Sequence, residues 1–307
     1  MSTPSKTSQL ERARALPLPS RQAMLNREPS VQAFWLSNQT LLDQAWQEWE
    51  EQLNDDIIIP DETLIDPQLR AAVNQAWQQP DQELEVEKLL QEVSPGVYEF
   101  QLFDPEKLVD LRRYLDEVAN ANIPLRPPYG IALNRGGAML DERSEGYLAA
   151  PGFQAFYRLV LDKYMRPISR LIFPEVMGYD TQTFGFSIQY QPDTDTSLRL
   201  HTDASAVTMN INLNLPNEHF EGSEIDFYST TSNEMVRYTF QAGKAAIHRG
   251  NVAHAARPIT GGKRTNFVLW LYGDYGQVPS PAQLNTPVDA RLRWVNPVVK
   301  ADKVAPF

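Results

Sequence analysis

The chain has 307 residues, 42% hydrophobic and 22% charged, enough apolar material for one large domain or two modest ones. Lys and Arg number 28 against 39 Asp and Glu, a formal net charge of -11, which argues against nucleic acid and anionic membrane as partners. Cysteine is absent, so disulfides, thiolate metal sites and cysteine nucleophiles are excluded and any metal must be held by His, Asp or Glu. No apolar run approaches the roughly 18 to 20 residues of a membrane helix, and the first residues lack a signal-peptide core, so a cytoplasmic protein is expected.

Residues 1–27 are polar, carry several prolines and show no period, which predicts a draped arm. Leu42, Trp46, Trp49 and Leu53 then recur at helical spacing, and Leu69, Val73 and Trp77 make a second stripe opened by Asp66-Pro67 and stopped near Pro80. The three tryptophans read as packing residues rather than a ligand cage. A third helix is expected from Glu83 to Val93, before Ser94-Pro95-Gly96 interrupts the chain and Val97–Phe100 reads as a strand. Asp104-Pro105 predicts an N-cap and first helical residue, with Leu108, Leu111, Leu115 and Val118 on one face. The Pro- and Gly-rich stretch from Pro124 to Gly152 reads as long loops. A helical pattern resumes from Phe153 to about Phe173, with Lys163 and Arg170 on its solvated face.

Beyond Gly178 the period becomes two. Phe184, Phe186, Ile188 and Tyr190 share one strand face, Val207, Met209 and Ile211 share another, and Phe267–Tyr272 is a last apolar strand. Helices followed by short strands predict an α+β fold, a jelly roll with supporting helices and an N-terminal helical region. The expected organisation is an N-terminal arm and helical region over 1–94, a catalytic domain over 95–275 and a C-terminal extension over 276–307.

All four histidines, His201, His219, His248 and His254, lie in this strand-rich third. In extended backbone residues i and i+2 point the same way, so His201 and Asp203 face one spot, and a third ligand from a later strand would complete a two-histidine, one-carboxylate set suited to non-haem Fe(II). His254 is the candidate, with His248 as the less favoured alternative and His219 a solvated turn residue. Arg264 follows His254 by ten positions, placed to take a dicarboxylic co-substrate through a two-pronged contact.

His201-x-Asp203, the Phe220–Phe227 segment, and His254 with Arg264 together resemble the Fe(II)- and 2-oxoglutarate-dependent dioxygenases of the prolyl/lysyl-hydroxylase-like branch. The His248-Arg249-Gly250 run and Arg264–Trp270 are most similar to the 2-oxoglutarate and iron-dependent oxygenase domain-containing proteins. The resemblance implies a double-stranded β-helix with His201, Asp203 and His254 as iron ligands and Arg264 on the distal carboxylate of 2-oxoglutarate. It places Tyr190 near the co-substrate, while strand alternation puts Asn210 on a polar inner face as a candidate contact to co-substrate or substrate, with Asn266, on the strand face of Arg264, a weaker candidate of the same kind. It further implies O2 as oxidant, ascorbate as a candidate accessory, and hydroxylation of a peptide or amino-acid side chain with release of succinate and CO2. Asp203 speaks against halogenation, in which that position is vacant. The rivals are a hydroxylase of small natural products, a non-catalytic binding module on the same fold, and a cupin-like metalloenzyme that uses no keto acid. One departure is Gly222-Ser223 where many relatives carry Gly-Gly.

Overall fold

The computed structural model describes residues 8–129, 134–229, 234–273 and 288–296. Most of the expected C-terminal extension over 276–307 and the first seven residues lie outside them.

The N-terminal third is helical. The expected arm is instead two short helices, α1 (Gln9–Arg14) and α2 (Arg21–Leu25), each started by a serine whose hydroxyl accepts a backbone N–H of the first turn. Leu10 and Ala13 of α1 are buried against α3 (Pro29–Glu51), so this segment contributes to the core; two apolar residues three apart are too short a signal to show a period. On α3 the buried stripe is Trp35, Leu42, Trp46 and Trp49, and α4 (Pro67–Gln78) begins as expected at Asp66, which accepts from the N–H groups of Gln68 and Leu69. The helix expected over Glu83–Val93 is only α5 (Leu84–Glu87), and the next residues form strand β1 (Gln91–Ser94). β1 pairs antiparallel with β2 (Val97–Gln101) across the Ser94–Gly96 turn, a tertiary preference that overrides helical propensity. Asp104-Pro105 likewise opens a turn rather than the helix: α6 runs Leu108–Asn120, and Asp104 accepts from the Glu106 N–H.

The long helical pattern from Phe153 is one continuous segment with a defect. It consists of α7 (Pro151–Leu159), a π-helical stretch (Val160–Met165) and α8 (Arg166–Ile172). Pro167 has no N–H to give the carbonyl four residues back, that of Lys163. The Trp77 indole N–H donates to that carbonyl at 3.0 Å, tying α4 to the defect. Arg170, expected in solvent, is buried and pairs with buried Asp180 at 2.5 Å.

Beyond α8 the chain is antiparallel sheet. A six-stranded sheet has the order β1-β2-β9-β5-β12-β3, with β3 Gln182–Tyr190, β5 Val207–Asn212, β9 Lys244–Arg249 and β12 Arg264–Tyr272. A four-stranded sheet has the order β4-β10-β7-β8, with β4 Leu198–His201, β7 Ile225–Tyr228, β8 Met235–Tyr238 and β10 Ala253–Ala256. β6 (Glu221–Gly222) and β11 (Ile259–Gly261) pair separately. Period-two alternation divides the residues of the large sheet between two apolar clusters. Val207, Met209, Ile211, Phe267, Leu269 and Leu271 join the helices in one cluster running from Leu10 to Trp294. Phe184, Phe186, Ile188, Tyr190, Val268 and Trp270 join Ile225 and Phe227 of the small sheet in the other. The functional candidates belong to this second, inter-sheet layer.

Candidate active site

The site begins with a strand pairing. β4 and β10 run antiparallel with His201 directly opposite His254, which brings the two rings to 4.3 Å between centroids. The register slips between this pair and Leu198↔Ala256, so β4 has one residue more than its partner and bulges. Arg199 and Leu200 swell outward, and the Arg199 carbonyl accepts from His201 Nδ1 at 2.7 Å. His254 Nδ1 donates in the same way to the Val252 carbonyl at 3.0 Å. A carbonyl only accepts, so both rings carry a proton on Nδ1, and in its neutral form each presents the Nε2 lone pair to the site.

Asp203 completes the group. Its N–H donates to the Gly250 carbonyl at 2.8 Å, and Gly250 can come this close because a Cβ there would lie 2.0 Å from the Ser205 carbonyl oxygen. This explains the glycine of the His248-Arg249-Gly250 run. The Asp203 carboxylate lies 3.5 Å from His201 Nε2 and 3.8 Å from His254 Nε2, and its Oδ2 accepts from the Thr208 hydroxyl at 2.6 Å. Ligand atoms of His201, Asp203 and His254 all fall within 4.8 Å of one another, the only such group of three among the described residues. His248 is outside it: it is buried on β9, its ring 4.8 Å from His254 and 5.4 Å from Phe227, with Nδ1 tied to the Arg249 carbonyl. His219 is exposed, as expected.

The environment sets the charges. Burial opposes ionisation of Asp203, but the His201 hydrogen bond, the fields of His254 and His248 and the Thr208 hydroxyl outweigh it and hold the carboxyl at about 2. Burial pushes His254 down to about 4, helped by His248. Burial also opposes protonation of His201, yet the neighbouring Asp203 carboxylate and the Arg199 carbonyl raise it overall.

Arg264 opens β12, directly across from Tyr190 at the end of β3. Its guanidinium is fully buried, 4.8 Å over the Tyr190 ring and 5.3 Å over Phe240. Nη1 donates to the Ser223 carbonyl at 2.6 Å, whereas Nε and Nη2 have no hydrogen-bond partner among the described residues. Burial brings it down to about 10, only partly opposed by the fields of Tyr190 and Glu224. The Ser223 carbonyl is aimed by two consecutive left-handed residues, Gly222 at φ 74° and Ser223 at φ 60°. The departure from Gly-Gly therefore puts a side chain where glycine is unstrained, and its hydroxyl is buried without a partner among the described residues.

One cavity of about 220 Å³ joins these groups. His201, Asp203, His254, Arg264, Tyr190 and Asn210 all line it, together with apolar walls that include Phe186 and Trp270. A larger cavity of about 490 Å³, lined by Trp35, Arg126 and Tyr147 among others, shares no residue with it. Sequence reasoning missed the backbone tethers of the two histidines and the Ser205–Thr208–Asp203 hydroxyl chain, because carbonyl direction leaves no mark in residue types. Two imidazoles that each offer Nε2 in the neutral form, with a carboxylate, suit a divalent transition metal, and guanidinium nitrogens unpartnered among the described residues suit a carboxylate.

No family model matches the chain. It has homologues among proteins named 2-oxoglutarate and iron-dependent oxygenase domain-containing. It is 28% identical over 191 residues to protein ICU11 of Arabidopsis thaliana, covering 57% of this chain and 45% of that one. It is 28% identical over 197 residues to protein CP2 of the same plant, covering 59% and 47%. It is 26% identical over 186 residues to protein 2 of Xenopus tropicalis, covering 57% and 48%. The chain thus spans about half the length of the curated relatives it matches. Among solved structures it is similar to a Pseudomonas putida prolyl-4-hydroxylase at TM-score 0.43 and 14% identity, covering 67% of this chain and 98% of that one. It is also similar to a Phytophthora capsici prolyl 4-hydroxylase at TM-score 0.46 and 16% identity, covering 78% and 79%. The resemblance carried by the sequence motifs agrees with the names of these relatives.

Proposed function

We propose that the chain is an Fe(II)- and 2-oxoglutarate-dependent dioxygenase that hydroxylates an unactivated C–H bond of a peptide, amino-acid or other small-molecule substrate. On this reading His201, Asp203 and His254 hold the metal, Arg264 anchors the distal carboxylate of 2-oxoglutarate, and Tyr190 and Asn210 contact the co-substrate. The two antiparallel sheets are the halves of a double-stranded β-helix, and residues 95–275 form the catalytic unit. The observation that carries the proposal is Arg264. A buried cation without an ion-pair partner costs several kcal/mol, and this one lines the cavity of the His-Asp-His group with two nitrogens unpartnered among the described residues.

Bound iron with 2-oxoglutarate supplies O2 activation, and substrate R–H, O2 and the keto acid are converted to R–OH, succinate and CO2. This chain's residues make that possible by binding and orientation. The Nδ1 tethers fix both imidazoles in the metal-binding tautomer. Thr208 occupies a lone pair of Asp203 Oδ2 and so fixes the carboxylate. As a set of only three protein donors, His201, Asp203 and His254 would hold the metal without enclosing it. Phe186, Ile188, Ile225 and Trp270 give the cavity apolar walls.

Anaerobic addition of Fe(II) and then 2-oxoglutarate tests the reading, and a weak visible charge-transfer band is expected only when both are present. Arg264→Ala should raise the half-saturating 2-oxoglutarate concentration by about 100-fold, the worth of a lost two-pronged charge-assisted contact, while Mn(II) affinity stays within about twofold. Metal binding without the band would favour a metalloenzyme that uses no keto acid. Failure to bind metal at all would favour a binding module.

A further inference from the structure

Behind the cavity four asparagines form a continuous chain through the large sheet. Asn210 lines the cavity from β5, while Asn212, Asn214 and Asn266 are buried. An amide has a donor end and an acceptor end, and the polarity of each link here follows from backbone groups whose roles are fixed. Asn214 Nδ2 donates to the Lys263 carbonyl at 2.6 Å, and its Oδ1 accepts from the Thr265 N–H at 3.0 Å, so both ends of that side chain are fixed. The Asn214 N–H donates to Asn212 Oδ1 at 3.3 Å, which leaves Asn212 Nδ2 as donor to Asn214 Oδ1 and to Asn266 Oδ1, both at 3.2 Å. Asn266 must then present Nδ2, which donates to Asn210 Oδ1 at 2.6 Å. The last amide in the chain has only its NH2 group left over, and no protein acceptor takes it among the described residues.

Resting on the reading of the site given above, we infer that Asn214, Asn212 and Asn266 are positioning residues. As a backbone-anchored relay they lock the Asn210 amide with its NH2 toward the cavity, as an obligate donor to the carboxylate that Arg264 anchors. Two further observations support that target. Arg264, Asn266 and Val268 alternate onto one face of β12, so the tether of Asn210 is the strand neighbour of the guanidinium on that face. Asn210 also lies opposite Val268 in the β5–β12 pairing, which holds its Cα beside the same strand. Burying three amides is costly unless every link is made. In this chain every link is made except the one at the cavity.

The test uses the Zn(II)-loaded full chain, ¹⁵N-labelled, with 2-oxoglutarate as the probe. The Asn210 side-chain amide pair, identified by its loss in Asn210→Ser, should shift on saturation with 2-oxoglutarate. Asn212→Asp cannot donate to Asn266, so the relay reverses and Asn210 presents its oxygen. The saturated shift should then disappear and the half-saturating concentration rise about tenfold, while Zn(II) affinity is retained. Repulsion by the new carboxylate alone would weaken binding but leave the saturated shift intact, and that result would overturn the relay. Asn212→Ala, which removes a link without reversing it, should change 2-oxoglutarate binding less than about threefold; a loss equal to that of Asn212→Asp would mean a merely structural role. If Asn212→Asp does not fold, the unaltered protein decides, because saturation with Asn210 unmoved overturns this inference alone. No 2-oxoglutarate binding at all overturns the site reading and this inference together.

Discussion

At the scale of single residues, the site separates groups that compete with protons for a metal from groups that do not. Asp203 is held at about 2 and His254 at about 4, whereas His201 lies above its ordinary value near 6.5. Metal displaces a proton only from a group that is protonated when metal-free. Between pH 5 and about 6.5 that group is His201, so the logarithm of Mn(II) affinity should rise with pH by one proton and flatten above its raised value. A two-proton slope across that window would contradict the assignment of His254 as already neutral. Ser223 offers a stability test. Its left-handed backbone and unpartnered hydroxyl cost stability, and only its carbonyl serves Arg264. Ser223→Gly should raise stability by up to about 1 kcal/mol and leave 2-oxoglutarate binding unchanged; a fall in Tm would contradict this.

At the scale of elements, the alternation of β5 and β12 was legible from residue types. Val207, Met209 and Ile211 do face the helices, and Thr208 and Asn210 face the cavity. The stripes of α3 and α4 were equally legible because several buried residues repeat at one period. Short elements were not. α1 and β1 each carry too few apolar residues to show a period, and what holds them is another element: α3 for α1, the hairpin partner β2 for β1. The π-helical stretch was also invisible, although Pro167 marks it in hindsight. Its cost is offset by Trp77, whose indole N–H takes the carbonyl Pro167 cannot serve. Trp77→Phe should keep the packing against Trp294 but lower stability by about 1 kcal/mol. Denaturant unfolding with an unchanged midpoint would show that the hydrogen bond contributes nothing.

At the scale of the whole molecule, two apolar layers have distinct tasks. The helical layer, from Leu10 through Trp46, Tyr114 and Phe153 to Trp294, packs in one cluster with the Val207, Met209, Ile211, Phe267, Leu269 and Leu271 face of the large sheet. The inter-sheet layer is smaller and gives way at one end to the polar groups of the cavity. No helix among the described residues is long and apolar enough to cross a membrane. The candidate residues stood out in the sequence because their chemistry is rare: four histidines in one window, one of them two positions before an aspartate, and an arginine at a strand start. What fixes them was not legible, since the β4 bulge, the Gly250 approach and the asparagine relay depend on backbone direction. The central claim is that three side chains from two strands and the loop between β4 and β5 hold one metal ion. The most direct measurement is a crystal structure of the protein grown anaerobically with Mn(II), read by anomalous scattering. The account predicts one peak in bonding contact with His201 Nε2, His254 Nε2 and an Asp203 carboxylate oxygen. A peak elsewhere, or His248 in place of His254, would contradict it.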